Sequence, residues 1–259
     1  MLKYDKAAAQ NIERSYSTPD IARQRLQTLK ALALNTGEHV VDVGCGTGFL
    51  ISEMASVVGE TGRLTGVDFS QDMLDVAIKR CESLPQVSLR QGSAIDLPLD
   101  DACFDAATCT QTLLYVPDVD RSIAELARVL KIGGRLAIIE TDWNGAIVNS
   151  ADPAMTQKIF QSFQKPIPNP NLPTKLSPML REHGFGAINI EAIPIVNTGY
   201  TSANFSPSVI TWASNMAVLE KDISRQEAAA WVADLEVKAE RGEYFFCVNR
   251  FLFSAVKVQ

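Results

Sequence analysis

The sequence predicts an α/β fold built on a doubly wound sheet of mostly parallel strands, and three observations carry that prediction. Strand-like and helix-like patterns alternate through about the first 150 residues, as they do where crossover helices join parallel strands. An apolar, β-branched run, Val40-Val41-Asp42-Val43, ends in the turn Gly44-Cys45-Gly46-Thr47-Gly48 and passes directly into a helical pattern at Phe49. About twenty residues further on, a second short strand, Thr65-Gly66-Val67, ends in an acid, Asp68.

The elements follow in order. A polar helical stretch, Asp20 to Leu34, stops at Asn35-Thr36-Gly37 and leads into the first strand. The second helix runs from about Phe49 to Val58, and Gly59-Glu60-Thr61-Gly62 turns the chain into the strand Arg63 to Val67. Ser70-Gln71-Asp72 caps a third helix, Met73 to Leu84, which Pro85 ends. The strand Val87 to Gln91 then reaches Gly92-Ser93-Ala94. Phe104 to Thr110 and Arg135 to Glu140 read as the fourth and fifth strands, with a helix from Asp120 to Leu130 between them that gives way to Ile132-Gly133-Gly134.

The glycine turn limits the kind of ligand. Glycine permits a sharp turn and leaves no Cβ between backbone and ligand, and a helix start offers unpaired N–H groups. Asp68 stands where ribose-binding acids stand. The turn reads G-x-G-x-G, with Phe49 in the place of the third glycine of a dinucleotide fingerprint. Phe49-Leu50 also replace the Lys-Ser/Thr pair of a phosphate-binding loop. Asp42, two residues before Gly44, would repel a pyrophosphate but suits a sulfonium and an α-ammonium. The pattern therefore fits S-adenosylmethionine (SAM) better than NAD or a nucleoside triphosphate. The plain alternative, a tight turn that binds nothing, is weakened by the acid at the right distance.

Composition narrows the partners. The chain has 259 residues, 46% hydrophobic and 21% charged, with a net charge of −6. That suits one globular domain with an elaborated cap. The acidic balance and scattered basic residues argue against a broad nucleic-acid footprint. No apolar run approaches the roughly 20 residues of a membrane helix, and the opening Met1-Leu2-Lys3-Tyr4-Asp5-Lys6 lacks the pattern of a signal peptide. The expectation is a cytoplasmic monomer or homodimer whose partner is a small molecule, with no nucleic acid or membrane.

The five cysteines, Cys45, Cys81, Cys103, Cys109 and Cys247, form no C-x-x-C pair and have no histidine at zinc-ligand spacing. Reduced, mostly buried thiols are expected, and no metal site. Cys45 lies in the turn, where its backbone rather than its thiol should serve the ligand. His39 precedes the first strand, and His183 sits before Gly184 at a helix end, where a cation suits the dipole. Neither reads as catalytic.

Beyond Trp143 the composition changes. Lys165-Pro166-Ile167-Pro168-Asn169-Pro170-Asn171-Leu172-Pro173 is too rich in proline for a helix or central strand. Helical patterns flank it and the sheet is not yet complete, so it reads as an ordered loop over the mouth of the site rather than a linker. Ile188 to Val196 and Phe245 to Val258 read as the last two strands. Between them, Ser206 to Arg241 forms a helical insert carrying Trp212, Met216 and Trp231. This divides one domain into a binding core of about 36–142, 187–198 and 244–258, and a cap of about 143–186 and 199–243.

From about residue 38 to 142 these segments resemble the class I SAM-dependent methyltransferases. The resemblance is carried by the glycine turn, Asp68, the Gly92-to-Pro98 turn, Phe104-Asp105, and Arg128-Val129-Leu130-Lys131-Ile132-Gly133-Gly134. Within the class the chain is most similar to the ubiquinone/menaquinone C-methyltransferase-like group and natural-product methyltransferases. The resemblance implies a Rossmann-like sheet of about seven strands, the last antiparallel and inserted between the fifth and sixth, and SAM as methyl donor. Two departures stand out. Ser93 occupies the place of an acid that in relatives commonly meets the adenine amino group, and Ile132 replaces a proline.

The resemblance also apportions roles. Asp68 is expected to accept both ribose hydroxyls, Phe69 and Met73 to pack near adenine, and Ser93, Ala94 and Ile95 to line its edge. The backbones of Gly44, Gly46 and Thr110 should face the methionine moiety. Gln111, Tyr115 and Trp143 follow the C-terminal ends of strands four and five, where doubly wound sheets bind ligands, and are candidates for the acceptor. Tyr4 and Tyr16 are placed to close over the cofactor. Orientation alone supplies roughly 7–11 kcal/mol in favourable cases, so a general base is optional, needed for an alcohol but not for an enolate, activated aromatic carbon or neutral amine, and none is nominated. A small, apolar or aromatic acceptor is expected. The competing readings are a SAM-binding partner without catalysis and, behind it, a nicotinamide-dependent oxidoreductase.

Overall fold

The computed structural model describes residues 6–259, with side chains from residue 11 onward. Two N-terminal helices, α1 (Lys6–Tyr16) and α2 (Pro19–Leu32), precede β1 (His39–Val43), α3 (Phe49–Val58), β2 (Arg63–Asp68), α4 (Gln71–Arg80) and β3 (Val87–Gln91). Then come β4 (Phe104–Thr110), a 3-10 turn (Leu113–Tyr115), α5 (Val119–Val129) and β5 (Leu130–Val148). The later part holds α6 (Pro153–Gln164), α7 (Pro173–Glu182), β6 (Phe185–Asn197), α8 (Ser206–Leu219), α9 (Arg225–Glu240) and β7 (Phe246–Lys257).

All seven strands join one sheet in the order β3-β2-β1-β4-β5-β7-β6. The first five are mutually parallel, and β7 runs antiparallel between β5 and β6. This is the Rossmann-like arrangement the resemblance implies. Alternation along β1 sends Val41 and Val43 into one core with Ile138, Leu176 and Phe253, and Val40 into another with Ile51, Met54, Ile139 and Leu252. Burial on both faces is what a central parallel strand requires. A third cluster lies under the cap and includes Trp143, Phe163, Ile210, Trp231 and Phe246.

Several boundaries differ from the sequence expectation. The helix expected to reach Leu84 ends at Arg80, because Leu84 N–H turns back to the Cys81 carbonyl at 2.9 Å. The fifth strand extends past Glu140: after an irregularity beyond Asp142, Ile147 and Val148 pair again with Cys247 and Phe246. The insert from Ser206 is two helices. Lys221 takes a left-handed φ of 61°, and Ser224 and Glu227 form a reciprocal capping box that starts α9. Pro173, last of the proline-rich run, begins α7, where its missing N–H costs nothing.

Two attachments shape the mouth of the sheet. The proline-rich loop is ordered: Trp143 N–H donates to Pro170 O (2.9 Å), Asn169 N–H to Leu114 O (3.1 Å) and the Asn169 amide to Val116 O (2.8 Å), with Ile167 and Leu172 buried. On the other side the N-terminal helices are tied to the glycine turn. Arg25 donates to Glu53 and to Tyr16 O (both 2.7 Å), Arg80 donates to Thr47 O (2.9 Å) and pairs with Glu13, and both guanidinium groups lie over the Phe49 ring.

Candidate active site

The glycine turn is pinned from below and open above. Gly44 N–H and Cys45 N–H both donate to Val67 O, at 2.7 and 3.1 Å, which locks the end of β1 to β2. Gly44, Gly46 and Gly48 take φ values of 75°, 54° and 83°, a region unfavourable to side chains. They differ in surroundings: a Cβ on Gly44 would stand 2.1 Å from Thr112 Oγ1, whereas one on Gly46 meets nothing within 4 Å. The Gly46 backbone therefore borders open space suited to a ligand. Cys45 is buried, burial pushes its thiol well above its usual range, and its carbonyl accepts Gly48 N–H (3.0 Å).

Asp68 reaches this turn. One carboxylate oxygen accepts Gly46 N–H (2.8 Å) and the other accepts Ser70 N–H (2.9 Å). Burial raises its pKa while these N–H groups pull it down. A carboxylate oxygen can take more than one donor, so capacity remains for a diol. Beside it, the Phe69 ring is 70% exposed, a flat apolar face next to the acid, while Met73 is only 3% exposed and packs inward. Gly92 N–H returns to Asp68 O (3.0 Å), which brings Ser93, Ala94 and the half-exposed Ile95 alongside.

Asp42 is the most telling group. It is 2% exposed, and its Oδ1 has no hydrogen-bond partner among the described residues. Burial and then the charge of Asp68 push its pKa up to about 8. An orphaned buried acid is costly unless a donor or cation arrives to meet it, and a pyrophosphate could do neither. The residues thus fit a cationic amino-acid group.

The ligand-free protein should show the cost of this arrangement. The unfolded chain ionises Asp42 near 3.8 and the folded chain only near 8. Stability from this group is therefore full at acid pH and declines as pH rises from about 4 to about 8. Urea unfolding of Asp42→Asn should gain on the wild type across that window. A pH-independent difference contradicts the raised value.

The acceptor candidates are spread along the cap side. Gln111, at a φ of 53°, has both ends of its amide engaged, donating to Ile139 O (3.3 Å) and accepting from Thr141 Oγ1 (2.6 Å). It braces the turn after Thr110, whose carbonyl accepts the Thr112 hydroxyl (3.1 Å). Tyr115 and Tyr16 pack against the cap cluster; Tyr4 lies outside the described residues. Trp143 is buried edge-on to Phe163 at 4.8 Å, its indole Nε1 has no partner among the described residues, and it lines a cleft of about 390 Å³ with Phe160, Gln157 and Gln161.

Two buried charges escaped the sequence reading. Glu140, at the end of the expected fifth strand, accepts Leu113 N–H (2.7 Å) and Thr112 N–H (3.1 Å) through Oε1. Its Oε2 has no hydrogen-bond partner among the described residues, and burial pushes its pKa up to about 8. Arg250 is 1% exposed on β7. A single charge within the apolar run from Cys247 to Phe253 was the available signal. Among the described residues no cluster of acids, histidines or cysteines is placed to hold a metal, and no helix is long and apolar enough to cross a membrane.

Comparison with known proteins agrees with this geometry. Residues 34–184, more than half of the chain, match the family model for the methyltransferase domain. A demethylmenaquinone methyltransferase from Lysinibacillus sphaericus is 40% identical over 117 residues, which is 45% of this chain and 50% of that protein. The chain thus spans about half the length of this curated relative. Among solved structures, phosphoethanolamine N-methyltransferase 2 of Haemonchus contortus, in complex with phosphomonomethylethanolamine and S-adenosylhomocysteine, superposes with a TM-score of 0.65 at 20% identity. That match covers 99% of this chain and 58% of the other. The [4+2]-cyclase SpnF gives 0.61 at 25% identity, over 92% and 81%.

Proposed function

This chain belongs to the methyltransferase domain family, and from that premise we propose that it carries a methyl group from SAM to a small apolar or aromatic acceptor seated under its cap. The observation that carries the reading is the pairing of Asp42, buried with an unpartnered oxygen, with Asp68, which holds the turn beside an exposed ring. When bound, SAM supplies an electrophilic methyl on a sulfonium that departs as a neutral thioether.

The chain's own residues do the rest. Asp68 holds the ribose, Phe69 covers adenine with Ser93, Ala94 and Ile95 at its edge, and Asp42 faces the cationic methionine end across Gly44 and Gly46. Thr110 closes that end from β4. The aromatic cap excludes water and orients the acceptor, which is the contribution displacement chemistry needs most. Trp143 offers an unpartnered indole N–H to a polar atom of an otherwise apolar acceptor. The protein acts on small molecules in the cytoplasm rather than on nucleic acid.

Because a cyclase shares the fold, the test requires turnover as well as binding: labelled SAM incubated with a panel of small aromatic and apolar acceptors, followed by detection of methylated product. Trp143→Phe, which keeps the ring but removes the N–H, should change acceptor turnover at least about tenfold. Its SAM affinity should stay within twofold, as should that of substitutions at Asn169 in the proline-rich loop. Loss of SAM binding in the folded variants would assign this region to the cofactor instead.

A further inference from the structure

Arg250 sits on β7 beneath the start of the cap, fully buried. Gln24, a neutral amide on α2, accepts from its Nη1, and its guanidinium lies over the Phe205 ring at 4.7 Å. Among the described residues its Nε has no hydrogen-bond partner and no carboxylate reaches ion-pair distance. The charged and titratable groups that act on it from the surrounding elements are Tyr16, Tyr115, Glu140 and Asp20. Asp20 and Glu140 act on it from beyond ion-pair distance, and neither carboxylate touches the guanidinium. One Asp20 oxygen is already held by the Asn197 amide (2.9 Å) and Phe205 N–H (3.0 Å), and burial keeps Glu140 largely protonated at neutral pH.

A buried cation with no carboxylate in contact is costly, and an anionic group of a ligand would offset that cost. Its place indicates which ligand. Two strands, β4 and β5, separate β7 from the glycine turn on β1, a span of roughly 14 Å at the spacing of neighbouring strands. Arg250 therefore stands away from the glycine turn, against Phe205 at the start of α8 in the cap. Resting on the methyltransferase reading above, we propose that Arg250 receives an anionic oxygen of the acceptor, so that the substrate is an aromatic or apolar molecule carrying an ionised hydroxyl or a carboxylate.

The test uses the full chain saturated with S-adenosylhomocysteine and three probes of similar size: 2-naphthol, 2-naphthoate and the neutral 2-methoxynaphthalene. Calorimetry should show one of the two acidic probes binding at least tenfold more tightly than the ether, and which one it is separates hydroxyl from carboxylate acceptors. Arg250→Gln should remove that preference while S-adenosylhomocysteine affinity stays within twofold, and Arg250→Lys should keep part of it. If neither acidic probe exceeds the ether, or the preference survives Arg250→Gln, the inference is overturned. The wild-type comparison decides the matter even if the Gln variant fails to fold. A tenfold loss of S-adenosylhomocysteine affinity in Arg250→Gln overturns it differently, by giving Arg250 to the cofactor's carboxylate. Failure of the wild type to bind S-adenosylhomocysteine at all would instead remove the methyltransferase reading.

Discussion

Asp68→Ala should weaken SAM binding by roughly 2–4 kcal/mol, on the order of thirty- to a thousandfold. Two charge-assisted hydrogen bonds to the ribose are lost, each worth roughly 1.5–3 kcal/mol, with partial replacement by water. The structure adds a second contribution, since the same carboxylate holds Gly46 N–H and Ser70 N–H. The Ala variant also loosens the turn that the methionine end approaches. Asp68→Asn keeps one carbonyl oxygen for one of these donors and should fall between the two. The fold should persist in both, because Gly44 and Cys45 remain tied to Val67 O. Calorimetry with SAM checks this, and an affinity unchanged within twofold would remove Asp68 from the site.

The second large effect separates two glycines that look alike in sequence. Gly44→Ala forces a Cβ to within 2.1 Å of Thr112 Oγ1 and 2.5 Å of its Cγ2. The segment after β4 must shift, and the positive φ adds its own penalty. A loss of about 3 kcal/mol or more of stability is expected. Gly46→Ala meets no neighbour, so its stability cost is limited to the φ penalty, about 1–2 kcal/mol. Its new methyl instead enters the space left for the ligand and should lower SAM affinity at least about tenfold. Urea unfolding and calorimetry on the two variants should therefore show opposite profiles, one mainly unstable and the other mainly unable to bind. The reverse pattern would place the ligand on the wrong side of the turn.

The difference between these glycines marks where the sequence ceases to be legible. The motif shows that both residues need unusual backbone, because spacing encodes turn and helix start, but only packing shows that Thr112 fills the space over one of them. The same division runs through the chain. Strands β3 and β4 were readable to the residue because Pro85 and Gly92 bracket the first and Asp100-Asp101 precede the second. The second pairing of β5 beyond Asp142 depends on a partner strand about a hundred residues away and left no local signal.

Among site residues, Asp68, Phe69 and the glycines could be named from local pattern and resemblance. Met73, placed near adenine by the resemblance, is 3% exposed on α4. Glu140 and Arg250 gave weak signals because a single charge in an apolar strand is meaningful only once its burial and missing partner are known.

The central claim is that Asp42 and the turn select a cationic nucleoside cofactor over a dinucleotide. Its most direct test is calorimetry of the full chain at pH 7.5 with SAM, S-adenosylhomocysteine and NADH. The account predicts saturable binding of SAM and S-adenosylhomocysteine at one site, with no heat attributable to NADH. Tight binding of NADH with a silent SAM titration would contradict it.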